Sequence, residues 1–243
     1  MLQKGFFLTE SHNPNLPEEE WTLVYEKDTT GSYSESCSWG KYKIVISGGG
    51  GSGAIFARYS TAQNMEWGWI QNGFAAEEKT VYIDVPYAST KTISGIIGGG
   101  ASGSHAETNG YQSHANYGAI GTGYANGAQA NTKYEYTDVV PGTGTRNFGA
   151  WVGGSGGGSS SLEVDGILNT ISAGGNGGEV TINYNGNKTS TGGIGGSGGT
   201  KTGNGAAGGN CVNETGYGVN ITSGAGANGY VRVYKSNLKP EPI

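Results

Sequence analysis

Lys41-Tyr42-Lys43-Ile44-Val45-Ile46-Ser47-Gly48-Gly49-Gly50-Gly51-Ser52-Gly53 joins two kinds of chain. The first half alternates long and β-branched side chains and reads as a strand. The second half has almost no side chains. The same succession recurs downstream. Lys91-Thr92-Ile93-Ser94-Gly95-Ile96-Ile97 runs into Gly98-Gly99-Gly100, and Phe148-Gly149-Ala150-Trp151-Val152 runs into Gly153-Gly154-Ser155-Gly156-Gly157-Gly158. Ile171-Ser172-Ala173 enters Gly174-Gly175-Asn176-Gly177-Gly178. Further strands are expected at 21–27, 80–85, 179–187 and 229–235, with a hairpin over 161–168 that turns at Asp165-Gly166. No stretch has a convincing helical period. The fold class is therefore all-β: a β-sandwich or jelly-roll-like domain.

The glycine runs carry the physical question. Of 243 residues, 49 are glycine, about one in five against a usual share of about 7%. Ordering glycine loses more backbone entropy than ordering any other residue. Runs this long therefore either stay flexible or pack where no side chain fits. Gly192-Gly193-Ile194-Gly195-Gly196-Ser197-Gly198-Gly199-Thr200 repeats every three residues, the period of an extended polyproline-II helix. Such helices made of glycine lie side by side and pair their buried peptide groups, as buried peptide groups must. We expect packed polyglycine-II-type helices rather than a Gly/Ser linker.

Composition removes several classes. Six prolines and the lack of a strict Gly-X-Y period exclude collagen. Fifteen Tyr, five Trp and five Phe are too many aromatics for a simple disordered linker. A net charge of −5 gives no electrostatic reason to bind nucleic acid. The longest apolar run is far too short to span a membrane, so no membrane insertion is expected. Met1 to Ser11 lacks the long apolar stretch and cleavage site of a secretory signal. Residues 1–38, acidic and poor in glycine, read as an N-terminal attachment arm; 39–237 as the glycine-rich β domain; 238–243 as a C-terminal tail.

Catalytic patterns are mostly rejected. Ser155 and Ser197 sit in GxSxG matches, but a nucleophile elbow needs a strand before and a helix after. His105 and His114 flank Glu107 without standard metal-ligand spacing. No carboxylate pair stands out as acid and base for sugar cleavage, and Asp84, Glu135 and Asp138 read as strand-edge or loop residues. No catalytic residue, metal site or cofactor is assigned. Cys37 and Cys211 are either buried thiols or the two ends of a disulfide.

Two glycine-poor interludes are the candidate binding surface. One, 55–73, carries Trp67-Gly68-Trp69, whose indoles share one face of a strand. The other, 104–132, carries Tyr111, His114, Asn116, Tyr117 and Tyr124 in a nearly uncharged setting with little strand pattern. Rings with amides and small residues are the mix of adaptable recognition loops, and rings also stack on sugar faces.

These alternating runs, with Gly226-Ala227-Asn228-Gly229-Tyr230-Val231-Arg232-Val233 near the end, resemble the glycine-rich domain of bacteriophage tail fibre and tail-tip proteins and of fibre-tip adhesins. The resemblance covers about 39–235. It implies a lattice of polyglycine helices that includes 153–158 and 192–200, with recognition loops at 54–73 and 104–132. It further implies a non-enzymatic virion protein that binds a host cell-surface glycan or protein. Its other partners would be tail fibre or baseplate subunits, and copies of itself in a homo-oligomer such as a trimer. A secreted bacterial glycine-rich surface or matrix protein is the alternative. Ice binding and depolymerase activity fit less well, since the Thr spacing is irregular and no acid pair stands out.

Overall fold

The computed structural model describes residues 18–60, 67–109, 112–130, 133–139, 142–144, 146–183, 188–190, 192, 196, 205–216 and 218–240. Among them there is no helix, and the protein is all-β. The strands are β1 (Trp21–Lys27), β2 (Gly31–Ser47), β3 (Ile55–Ser60), β4 (Trp67–Ile70), β5 (Glu78–Ile97), β6 (His105–Asn109), β7 (Gln112–Asn116) and β8 (Lys133–Val139). They continue with β9 (Arg146–Val152), β10 (Ser160–Val164), β11 (Ile167–Ser172), β12 (Val180–Asn183), β13 (Lys188–Ser190), β14 (Val212–Thr215), β15 (Asn220–Thr222) and β16 (Tyr230–Ser236). They form four sheets: β1-β16-β2-β5-β10-β11, β14-β3-β9-β8, β15-β6-β7 and β13-β12-β4.

The six-stranded sheet is built on β2 and β5, which pair antiparallel almost end to end. Sequence patterning places strands at 41–47, 80–85 and 91–97; they are parts of two much longer ones. Alternation sends Tyr33 and Cys37 inward before Trp39, and Tyr42, Ile44 and Ile46 inward after it. The buried positions switch from odd to even at a register shift, where Ser38 pairs with Thr90 but Gly40 pairs with Val85. The surplus residues on β5 form a kink in which Ala88 takes φ 58° and the Ser89 hydroxyl donates to the Pro86 carbonyl at 2.8 Å. Both halves of the bent sheet line one core with Ile83, Val85, Ile93, Ile97, Leu162, Val231 and Val233. Burying each large aliphatic there contributes about 1.5–3 kcal/mol. Residues 21–27 and 31–38, placed by sequence in the arm, are strands of this sheet, and the boundary after 38 falls at the register shift inside β2.

Bare segments leave the six-stranded sheet and lead to the three smaller ones, or return from them. Residues 48–54 leave β2 and are buried throughout. Their peptide groups are paired in steps of three. Gly49 and Ser52 donate to Gly158 and Ser155; Gly50 and Gly53 donate to Ala227 and Gly224; Gly51 and Ala54 donate to Phe74 and Gln71. In each pair the partner number falls by three, so these three neighbours run antiparallel. The carbonyls behave likewise toward three parallel neighbours. Gly49 and Ser52 accept from Gly175 and Gly178, Gly51 and Ala54 from Gly209 and Val212, and Gly50 from Ala101. The Gly53 carbonyl takes the Ser223 hydroxyl at 2.7 Å. Every peptide group of 49–54 is thus satisfied by a segment distant in sequence, as burial demands.

Glycine is required here by contact rather than by torsion. None of the glycines in 48–53 has a positive φ. A Cβ on Gly49, Gly50, Gly51 or Gly53 would instead fall within the carbonyl of Gly99, Ala207, Asn176 or Asn210. Of the glycine runs marked in the sequence, 153–158 packs against 48–54 through Gly158 and Ser155, and Gly196 donates to Gly157 and accepts from Gly174. Residues 193–195 and 197–200 lie outside the described residues.

Beyond the glycine layer the three small sheets stack. One face of β14-β3-β9-β8 presents Ile55, Ala57, Ala150 and Val152 to Ala106 and Ala115 of β15-β6-β7. The other presents Phe56 and Trp151 to Val180 and Ile70 of β13-β12-β4. The described ends of the chain sit on the opposite side. β16 runs away from the glycine layer, and Glu20 and Asn237 exchange backbone and side-chain hydrogen bonds of 3.0 and 3.1 Å at its remote end.

Candidate binding face

The outward face of β15-β6-β7 follows from strict alternation. Ala106, Thr108, Ser113 and Ala115 are buried, so their neighbours face outward. The register aligns them in rows: Asn220, Glu107 and His114; Thr222, His105 and Asn116; Asn109 and Gln112. His105 Nδ1 lies 3.3 Å from Thr222 Oγ1, and its Nε2 lies 3.8 Å from Glu107 Oε2. The register pairs Glu107 with His114, which sequence spacing had only flanked. Among the described residues no group of three or more His, Cys, Asp or Glu side chains is placed to hold a metal ion.

The sheet is fixed from beneath. The Ser113 hydroxyl lies 2.7 Å from the Gly149 carbonyl and 3.0 Å from that of Tyr136. Thr108 Oγ1 donates to the Gly216 carbonyl at 2.9 Å and accepts from Val219 N at 3.2 Å. The Ala115 N–H donates to Glu135 Oε1 at 2.7 Å, and Lys133 lies 3.4 Å from the same oxygen. Partial desolvation raises the Glu135 pKa, but the Ala115 N–H and the Lys133 ammonium outweigh it and hold the carboxyl below its ordinary value. Glu135, read from sequence as a strand-edge or loop residue, lies on the edge strand β8 and clamps two sheets together.

The remaining sequence candidates lie in separate places. Trp69 is 73% exposed on β4, opposite Thr181. Trp67, also on β4, pairs with Asn183 of β12. Tyr117 packs half-buried against the Ile55–Ala106 cluster. Tyr124 is 44% exposed within a segment that returns to the glycine layer, where its N–H donates to the Ser159 carbonyl at 2.9 Å. Tyr111 lies outside the described residues. Residues 104–132 are therefore not one loop: 105–116 is a hairpin, and in the described part of 117–132 the backbone bonds to other bare segments of the glycine layer. Gly118, Gly121 and Gly127 each approach another backbone too closely for a Cβ. Their spacing in multiples of three was the available sequence signal.

Sequence reading also missed an aromatic group. Phe56 stacks on Trp151 at 4.6 Å and 10°, and Tyr136 follows at 5.4 Å and 25°. Gly149 makes room for it, since a Cβ there would sit 2.9 Å from both Trp151 and Tyr136. Phe56, Trp151 and Tyr136 come from three strands, so no linear pattern brings them together.

Ser155, central to one GxSxG match, is fully buried among glycine segments. Its hydroxyl donates to the Gly118 carbonyl at 2.7 Å and its N–H donates to Ser52 Oγ at 2.8 Å. Ser197 lies outside the described residues. Cys37 and Cys211 are free thiols. Burial, and then Glu35, push the Cys37 thiol up to about 11, against the pull of Lys235. No helix of the described residues is long and apolar enough to cross a membrane. No protein-family model matches the chain, and no curated protein is significantly similar to it.

Proposed function

We propose that this chain is a non-enzymatic adhesin of the phage tail-tip kind. In this reading the six-stranded sheet is the sandwich-like mounting end and the glycine segments are polyglycine-II-type helices. The three small sheets are then the end that grips a host cell-surface component. One observation carries the proposal: residues 48–54 are hydrogen-bonded to six other segments in three-residue steps. Such a layer removes the torsional freedom that glycine otherwise has. It fixes the small sheets on the side away from the described chain ends. Preorganised surfaces bind with less ordering entropy to overcome. Ten of the strands, β3, β4, β6–β9 and β12–β15, belong to the small sheets, so that end of the molecule presents many strand edges and faces. Tail fibre or baseplate subunits, and copies of the chain itself, are the proposed partners of the mounting end.

The test is retention of the purified chain on a panel of bacterial cells. Replacing the outward residues His105, Glu107, Asn109, Gln112, His114 and Asn116 by serine, with the inward Ala106, Thr108, Ser113 and Ala115 kept, should abolish retention while the melting temperature holds. Retention that survives the replacement would remove this hairpin from the binding surface. Retention on no strain of the panel would count against the adhesin reading itself.

A further inference from the structure

Resting on the adhesin reading above, we propose that the outward face of β15-β6-β7 binds a neutral, hydroxyl-rich glycan. Its chemistry narrows the occupant. The outward residues comprise four amides, two imidazoles, one hydroxyl and one carboxylate. Among these described residues there is no Lys or Arg, and the nearby Lys133 ammonium is engaged by Glu135 and the Ala115 carbonyl, so phosphate, sulfate and nucleic acid find no free cationic partner on the grid. None of these described outward residues is aliphatic or aromatic, so an apolar peptide face or lipid finds nothing on them to bury against. Side-chain amides each offer donors and an acceptor in one plane, which suits adjacent sugar hydroxyls that also donate and accept.

The geometry adds to this. Neighbouring strands lie about 4.8 Å apart and alternate residues on one strand about 6.6–6.8 Å apart. His114 and Asn116 on β7 therefore stand beside Glu107 and His105 on β6 as a flat grid. His114, Asn116 and Gln112 are exposed and lie on the outermost strand. The grid is held by the Ser113, Thr108 and Glu135 contacts rather than assembled on binding. The outward face of the six-stranded sheet differs: there Lys43 lies 4.7 Å from the Tyr234 ring and Arg232 pairs with Glu26 at 2.7 Å.

The test uses the full chain on immobilised gluco-, manno-, galacto- and N-acetylglucosamine oligomers, with sulfated and sialylated oligosaccharides as controls. We expect retention on a neutral oligomer. The His114→Ala/Asn116→Ala double variant should bind it at least about tenfold more weakly. Tyr82→Ala, on the six-stranded sheet, should bind as the parent does. Both sites are exposed, so melting should not move. Retention only on charged oligosaccharides, retention on none, or equal retention by the double variant overturns the proposal. Cell binding separates the two claims. Retention on cells that survives periodate oxidation of their glycans but not protease treatment overturns the glycan and leaves the adhesin reading standing.

Discussion

Two glycines with opposite reasons for being glycine show what single residues do in this protein. Gly51 has an ordinary φ, but a Cβ there would fall within the Asn176 carbonyl. Gly166 has φ +76° in the β10–β11 turn and open space around it. Gly51→Ala must push two backbones apart and lose a hydrogen bond, at roughly 2–4 kcal/mol together. Gly166→Ala meets only the left-handed backbone penalty of about 1–2 kcal/mol. Thermal melting should rank Gly51→Ala well below Gly166→Ala; the reverse order would mean that the layer yields easily. Ser155→Ala is expected to lower stability by about 1–3 kcal/mol, because it leaves the buried Gly118 carbonyl without its donor.

Elements depend on such residues in different ways. β2 and β5 hold by burial: Ile44, fully buried in the core they share, should lose about 2–5 kcal/mol as Ile44→Ala in chemical denaturation. β7 is held to β8 by polar contacts, and these titrate. The Glu135 pKa is lowered in the folded protein, so its clamp is fully present above the ordinary glutamate range, near about 4.3. That stabilisation fades as pH falls from there through the lower folded value. Glu135→Gln should therefore be less stable than the parent at pH 7, and the gap should narrow as pH falls below the ordinary glutamate value of about 4.3. A gap independent of pH, read by melting between pH 3 and 7, would mean that the carboxylate charge contributes nothing. The aromatic stack of Phe56, Trp151 and Tyr136 is a third kind of element, formed only where three strands meet.

At the scale of the whole molecule, the glycine layer couples everything on its two sides. Residues 48–54 bond to six segments, and each segment continues into a strand. Opening one segment strands buried peptide groups on its neighbours, which costs about 1–3 kcal/mol for each group. The protein should therefore unfold in one transition, with calorimetric and van't Hoff enthalpies in agreement. The N–H groups of 49–54 should be among the slowest to exchange with deuterium. Exchange there at the rate of an unstructured peptide would refute the packed layer.

Much was legible in the sequence by itself. The alternation in 41–47 and 229–235 marked strands, and the glycine runs after Ser47, Ile97, Val152 and Ala173 marked bare segments between them. Those signals are local, set by side-chain period and by the absence of Cβ atoms. Only the tertiary structure decided which bare segments meet: 48–54 bonds to six others, none of them adjacent in sequence. Only the structure, too, put Gln71 and Phe74 into the layer and His114 beside Glu107. The reason is physical: backbone hydrogen bonds carry no sequence label, so their partners are chosen by how the whole chain closes.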